Sequence, residues 1–565
     1  MFRSRTRQSL EIFLYVVQSL ATSATPKSRL DEAIVRCHPS PTSSPSGAIV
    51  TFRLLFIFLP LICSPALTFA QIQRPNVVMI IADQLRYESC GYAGDEKAIT
   101  PNIDRLAATG ISFDNYVVNT PVCAATRATL WTGKYASTHG MVVNELRLNP
   151  NHDTLGHLLT AKGYTCDYIG KWHLWANQAG RHKFVENAFC PPGPYRLGFD
   201  GFWAAYNFNH GNYNAFYFKD TATRHEIEGW GPKHFTDLAI ERVTHHAKKK
   251  QPFAMVVSYS PPHDPWTKDN VPPWWYDRFR DVEFSLPSTW SDVPDKHMDR
   301  NTDPKRWLNK WKSGLPEYMR VYYAMTAALD EQVGRLLKAI DDQQLARNTI
   351  VIFTSDHGEQ FGANARVFKM TFFDKSARVP LLIRWPGKIP ARRRSNACIS
   401  SVDVMPTICG MLGVGFPDST DGIDLSDSTR VDCNCEPDFA FLQGMGHTFQ
   451  WKDGFEWRAI RDQRFTYAKY LVDGDELLFD NISDPEQSTN LVGNANFADD
   501  LQRLRQRLIE KRLAVHDEFK PCTWYRDNWI ENRVILRGAR GEFHREMGED
   551  VDVDPTLAGS SDVKE

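Results

Sequence analysis

Several short clusters in this chain carry side chains that could do chemistry together. Cys123-Ala124-Ala125-Thr126-Arg127 sets a thiol four residues before a guanidinium, with Leu130, Thr132 and Gly133 after it. A thiolate is a competent nucleophile, and one helical turn would bring Arg127 onto the face that carries Cys123. Asp83-Gln84 and Asp356-His357 offer oxygen and imidazole ligands of the kind a divalent cation takes. Lys171 and His173, in Gly170-Lys171-Trp172-His173, are two apart and would project from one face of an extended chain. His263 lies in Pro261-Pro262-His263-Asp264-Pro265, and Lys369 follows Asp356-His357 by a short loop. Taken singly, each piece has a plainer reading: a helix-capping aspartate, a core histidine, a surface lysine, a buried small thiol. Asn144, after Thr138-His139-Gly140, reads equally as a substrate contact or a surface turn.

The elements that must position these groups are legible. Asn76–Ala82 is a continuous apolar run ending in Asp83, the pattern of a strand buried on both faces. Phe253–Tyr259 and Thr349–Thr354 repeat it, ending before His263 and Asp356-His357. Thr100-Pro101 starts a helix over Asn102–Ala108, Ala125–Leu130 suggests another, and Val321–Ile340 has an apolar helical face. Alternating strands and helices predict an α/β domain with a mainly parallel sheet covered on both sides. Ligands of such sheets sit beyond the carboxyl ends of the strands, where the polar clusters fall. This domain is expected over residues 75–430. Trp457–Ile460 and Tyr467–Tyr470 then alternate like exposed antiparallel strands, and a helix with Leu501, Leu504 and Leu508 follows. A smaller C-terminal α+β domain over 431–536 is expected, and a disordered Gly-rich, acidic tail over 537–565.

The motifs together resemble the sulfatase family of the alkaline-phosphatase-like superfamily. The likeness runs from Pro75 to Leu513 and includes Arg378–Gly387, Val402–Thr407 and Ser483-Asp484-Pro485-Glu486 with Asn490-Leu491. It implies that a dedicated maturing enzyme oxidises Cys123 to formylglycine. One hydroxyl of the hydrated aldehyde attacks sulfur and expels the alcohol. Deprotonation of the other then releases sulfate, dividing one hard step into two. The resemblance makes Asp83, Gln84, Cys123, Asp356 and His357 ligands of one cation. Calcium suits the oxygen set, and the imidazole admits manganese. Arg127 is assigned to holding the diol, and Lys171 and Lys369 to charge on the transferring group. His263 is the general acid and His173 the base, in roles that could be exchanged. Thr126 serves helix initiation. Gln84, where the commonest pattern has aspartate, resembles the branch with choline sulfatases and phosphonate monoester hydrolases.

The substrate expected is a sulfated carbohydrate or other sulfated small molecule. Phe199–Phe218 interleaves Phe202, Trp203, Tyr206, Phe208, Tyr213 and Tyr217 with amides, which suits a sugar or simply a packed insertion. A phosphonate monoester or phosphodiester hydrolase on the same scaffold is the first alternative, and a non-catalytic exported carbohydrate-binding homologue the second. A net charge of -2 gives no case for nucleic acid. Arg53, the apolar run Leu54–Ile62 and Thr68-Phe69-Ala70 read as a signal peptide over 50–70, too short and Pro-interrupted for a stable membrane span. A periplasmic or extracellular location follows. Residues 1–49 are then a misannotated or disordered extension, with translation beginning near Val50. The 11 cysteines show no disulfide framework, and Cys433-x-Cys435 is too tight for a relaxed bridge.

Overall fold

The computed structural model describes residues 74–176, 189–298, 303–431 and 436–543. The expected extension, the signal peptide and Cys433-x-Cys435 lie outside them.

The frame of the molecule is an eight-stranded sheet. In chain order its strands are β1 (Asn76–Ala82), β2 (Ile111–Phe113), β3 (Thr165–Lys171) and β4 (Trp203–Tyr206). A small hairpin, β5 (Phe216–Tyr217) and β6 (His225–Glu226), stands apart. The sheet resumes with β7 (Phe253–Ser258), β8 (Thr349–Ser355), β9 (Leu381–Arg384) and β10 (Arg393–Ser395). The spatial order is β10-β2-β9-β8-β1-β7-β3-β4. Only β9 runs against its neighbours; the other pairings are parallel.

The central strand shows why an unbroken apolar run is needed. Successive side chains point to opposite faces, so Val77, Met79 and Ile81 enter one core and Val78, Ile80 and Ala82 the other. The first core is closed by the helices Cys123–Thr132, Leu155–Ala161 and Val404–Leu412. The second is closed chiefly by the long helix Ser313–Asp342, through Val321, Met325, Leu329, Val333 and Leu336.

The second sheet is antiparallel, in the order β11 (Phe439–Gly444), β12 (Trp457–Asp462), β13 (Phe465–Tyr470) and β14 (Glu476–Asp480). Its strands are not the exposed ones that alternation predicted. Trp457, Ala459, Ala468 and Tyr470 pack on Phe372, Phe373 and Val117 of the larger sheet's loops. Ile460, Phe465, Tyr467 and Leu478 pack on Leu501, Leu504 and Leu508 of the helix Ala498–Ala514. Two covers leave no free face. The chain from Gln71 onward is accordingly one compact unit, and Trp457 Nε1 donates to the Met370 carbonyl at 3.0 Å, next to Lys369.

The tail expected to be disordered from residue 537 is ordered through Phe543. After β15 (Ile530–Glu531) and β16 (Val534–Ile535), β17 (Arg537–Gly538) and β18 (Gly541–Glu542) form a last hairpin. The glycines that suggested disorder are what the hairpin requires. Gly541 has φ 121°, and a Cβ on Gly538 would stand 2.2 Å from the Thr138 carbonyl oxygen.

Candidate active site

The carboxyl ends of the central strands converge on Cys123. Asp83 and Gln84 follow β1, Lys171 ends β3, His263 lies beyond β7, and Asp356 and His357 follow β8. Cys123 is the first residue of the helix Cys123–Thr132 and is 1 % exposed. The N–H of Ala124 donates to Asn144 Oδ1 at 3.1 Å, while the Thr126 hydroxyl donates to the Thr120 carbonyl at 2.7 Å. Cys123 Sγ lies 3.1 Å from His357 Nε2, 3.4 Å from Lys369 Nζ and 4.0 Å from Asp83 Oδ1. Burial would raise the thiol's pKa. Lys171, Lys369, His357 and a hydrogen bond with His173 outweigh it and hold Cys123 well below its ordinary value.

Each buried carboxylate has one oxygen tied back and one directed inward. Arg127 donates to Asp356 Oδ2 through Nε at 3.1 Å and Nη2 at 2.9 Å, and reaches Asp83 Oδ2 at 3.4 Å. Its Nη1 donates to the Lys171 carbonyl and the Ser258 hydroxyl. Lys171 Nζ holds the same Asp83 Oδ2 at 2.5 Å. Against burial, Lys171, His263 and Arg127 keep Asp83 far below the carboxylate range. Asp83 Oδ1 and Asp356 Oδ1 lie 3.5 and 3.6 Å from His357 Nε2, the latter also accepting from the Gln84 N–H at 3.2 Å. Arg127 thus braces the two carboxylates, one turn along the helix from Cys123.

Around this centre stand the groups that could move protons. His173 Nε2 pairs with Glu145 Oε1 at 3.0 Å. Burial and Lys171 lower the His173 pKa, but its hydrogen bonds with Cys123 and Glu145 raise it above the usual value. The expected extended geometry of Lys171 and His173 does not hold: β3 ends at Lys171, and His173 has φ 61°. That turn gives the two side chains separate partners, Asp83 and Glu145. His263 Nδ1 lies 2.7 Å from the Asp264 carbonyl oxygen, an acceptor only, so Nδ1 carries the proton. His263 Nε2 then faces Lys369 Nζ at 2.9 Å, and Lys369 also donates to Gln84 Oε1 at 3.2 Å. A cavity of about 170 Å3 opens above Cys123, lined by Asn144, Glu145, His173, His263, Asp264 and Lys369, with Phe208, His210, Thr448 and Phe449.

The Sulfatase family model matches residues 75–414. The chain is a member of the sulfatase family. A second family model, N-sulphoglucosamine sulphohydrolase, C-terminal, matches residues 366–514 of this sulfatase. It is 33% identical over 496 residues to an ulvan-active sulfatase of Formosa agariphila, covering 85% of this chain and 89% of that one. It is 27% identical over 511 residues to an N-acetylglucosamine-6-O-sulfatase of Bacteroides thetaiotaomicron, covering 79% and 87%. The solved yidJ structure from Bacteroides fragilis superposes with TM-score 0.69 at 29% identity, covering 80% of this chain and 98% of that one.

The donor set of this sulfatase fits one divalent cation. Asp83, Cys123, Asp356 and His357 offer ligand atoms all within 4.8 Å of one another. His357 Nδ1 faces the Gly358 carbonyl at 2.9 Å, so Nδ1 is protonated and Nε2 meets the inward carboxylate oxygens. Burial and Lys369 push the His357 pKa down, but Asp356 and Cys123 raise it above its ordinary value, so the surrounding charge favours a cation at this point. Beside the set, Glu359 accepts from Gln84 Nε2 at 2.5 Å, which turns Oε1 toward Lys369 Nζ at 3.2 Å.

Glu145, Glu359, Thr448 and Phe449 are residues of the site that escaped the sequence. Glu145 adjoins Asn144, and Glu359 lies two residues past His357, so for these two motif proximity was the only available signal. The aromatic stretch Phe199–Phe218 is mainly core, and Trp203–Tyr206 within it is the edge strand β4 of the main sheet, not an insertion. Trp203, Tyr206 and Tyr217 are core, and Asn212 bonds Asn270. From it, Phe208 and His210 reach the cavity.

Proposed function

We propose that this sulfatase releases sulfate from a sulfated carbohydrate, using a formylglycine made from Cys123 by a maturing enzyme and one divalent cation. The observation that carries the reading is the convergence, at one buried thiol, of two inward carboxylate oxygens, an imidazole and two lysines. The ulvan and N-acetylglucosamine sulfate relatives support a sugar substrate. The aldehyde would supply a hydroxyl that can attack sulfur and later collapse to a carbonyl. The cation, held by Asp83, Gln84, Asp356, His357 and position 123, would lower that hydroxyl's pKa and neutralise sulfate oxygens. Calcium is the first choice, with the imidazole leaving room for manganese.

The chain's own residues divide the rest. Lys171 and Lys369 place positive charge where it develops on the sulfuryl group. Glu145 orients His173 through Nε2 at 3.0 Å, leaving Nδ1 as the base that faces position 123. His263 and Lys369, paired further out at 2.9 Å, together form the acid for the leaving oxygen, the proton coming from the Lys369 ammonium and passing through His263 Nε2. Asn144 steadies the start of the nucleophile's helix by accepting from Ala124 and can contact substrate from the cavity wall.

The test is parallel kinetics on an aryl sulfate, an aryl phosphodiester and an aryl phosphonate, with mass spectrometry of the peptide spanning Cys123. An aldehyde at that position with the sulfate turned over fastest is expected; an orders-of-magnitude slower sulfate would move the assignment to a phosphoryl substrate. Export through the segment 50–70 belongs to the same proposal, and fractionation of the host would test it. Among the described residues no helix is long and apolar enough to cross a membrane.

A further inference from the structure

We propose that the sugar ring bearing the sulfate is otherwise uncharged, and that a hydroxyl near the ester donates to Glu145. This rests on the sulfate-ester reading and narrows its substrate. The positive charge of the site is confined to the floor. Among the described residues lining the cavity, Lys369 is the one lysine or arginine, and its Nζ lies against Cys123, Gln84 and His263. Lys171 is fully buried against Asp83.

The wall above the floor has the opposite character. It carries the carboxylates of Glu145 and Asp264, the rings of Phe208 and Phe449, Thr448 and His210. Glu145 is 3 % exposed, and while Oε1 holds His173, Oε2 is buried with no hydrogen-bond partner. An unpaired buried acceptor calls for a donor, and a sugar hydroxyl supplies one without charge. His210 is stacked on His263, with ring centroids 4.0 Å apart and planes at 6°. Its Nδ1 is likewise buried and unpartnered, offering a second polar contact. A uronate carboxylate or a second sulfate in this space would face Glu145 and Asp264, and among the described residues lining the cavity the one lysine or arginine, Lys369, is already engaged on the floor. Like charges ~5 Å apart in a partly buried site cost roughly a hundredfold in affinity.

The experiment uses the mature enzyme and three probes: 4-nitrophenyl sulfate, a panel of methyl glycosides of neutral hexoses monosulfated at each ring position, and the matching uronic acid sulfates. Sulfate release is followed. The best neutral sugar should exceed its uronate counterpart about a hundredfold in kcat/KM. Glu145→Gln should lower both rates, because His173 loses its charged partner, and narrow their ratio at least about tenfold. A ratio near one, a preference for the uronate, a ratio unchanged in Glu145→Gln, or turnover of the aryl sulfate with none of the sugars each overturns the inference alone. An inert aryl sulfate with every sugar inert, in protein carrying the aldehyde, instead overturns the sulfatase reading beneath it.

Discussion

Replacing Glu359 by glutamine should weaken the hold on a divalent cation without altering any ligand. Glu359 is fully buried. Its Oε1 accepts from the Phe361 N–H at 3.0 Å and the Phe368 N–H at 2.7 Å, and its Oε2 accepts from Gln84 Nε2. The two backbone donors will claim the single oxygen of the new amide, leaving its NH2 against the NH2 of Gln84. Gln84 must then turn its amide over, which points a donor at Lys369 and at the cation position. The direct loss is one charge-assisted hydrogen bond, about 1.5–3 kcal/mol. Removing a partner that orients a ligand typically costs about 10–100-fold in metal affinity, a range of similar size. After chelation, aryl sulfatase activity is titrated with free calcium. The midpoint should rise about 10–100-fold, with the rate at saturating calcium recovered to within a few-fold. An unchanged midpoint, or a loss that calcium does not restore, would refute the argument that Glu359 sets the amide's direction.

Arg127→Met should cost about 3–5 kcal/mol, because it leaves the buried Asp83 and Asp356 oxygens uncompensated. Denaturant unfolding should show that loss, reduced when a divalent cation is present. Gly170→Ala should lose more than ~3 kcal/mol: Gly170 has φ 97°, and a Cβ there would lie 1.9 Å from the Ser258 carbonyl oxygen of β7. Circular dichroism melts against the parent protein would measure it. His152 is pulled down to about 3 by burial and then Lys134, so the unfolded chain takes up a proton near pH 6.5 that the folded one refuses. Stability should therefore fall as pH drops from 6.5 to 5, by about 2 kcal/mol from this group. His152→Phe should flatten that part of the curve.

What could be read in advance was set by local rules. A strand buried on both faces must be apolar throughout, so its polar end stands out, and Asp83 and Asp356-His357 were visible for that reason. Lys171 and His173 were also found, but their shared face was not real, because strand pairing ends at Lys171 and the chain turns at His173. Glu145 and Glu359 act through contacts with distant segments, His173 and Gln84, and no periodicity marks them. The second sheet misled for a related reason. Alternation reports the pleat, whereas what covers each face depends on Phe372, Phe373 and the helix Ala498–Ala514.

The contact of Trp457 with the Met370 carbonyl sets an order in time. Cys123 is enclosed partly by the loop carrying Lys369 and Met370, and that loop is held by a strand 334 residues beyond the thiol. At about 5–20 residues per second of synthesis, the thiol precedes this enclosure by roughly 17–70 s. A modifying enzyme that needs Cys123 in an open chain has that interval, plus any delay in folding, to act. Changes that hasten closure of the loop would then leave more of the protein with an unconverted thiol, even where they stabilise the finished fold.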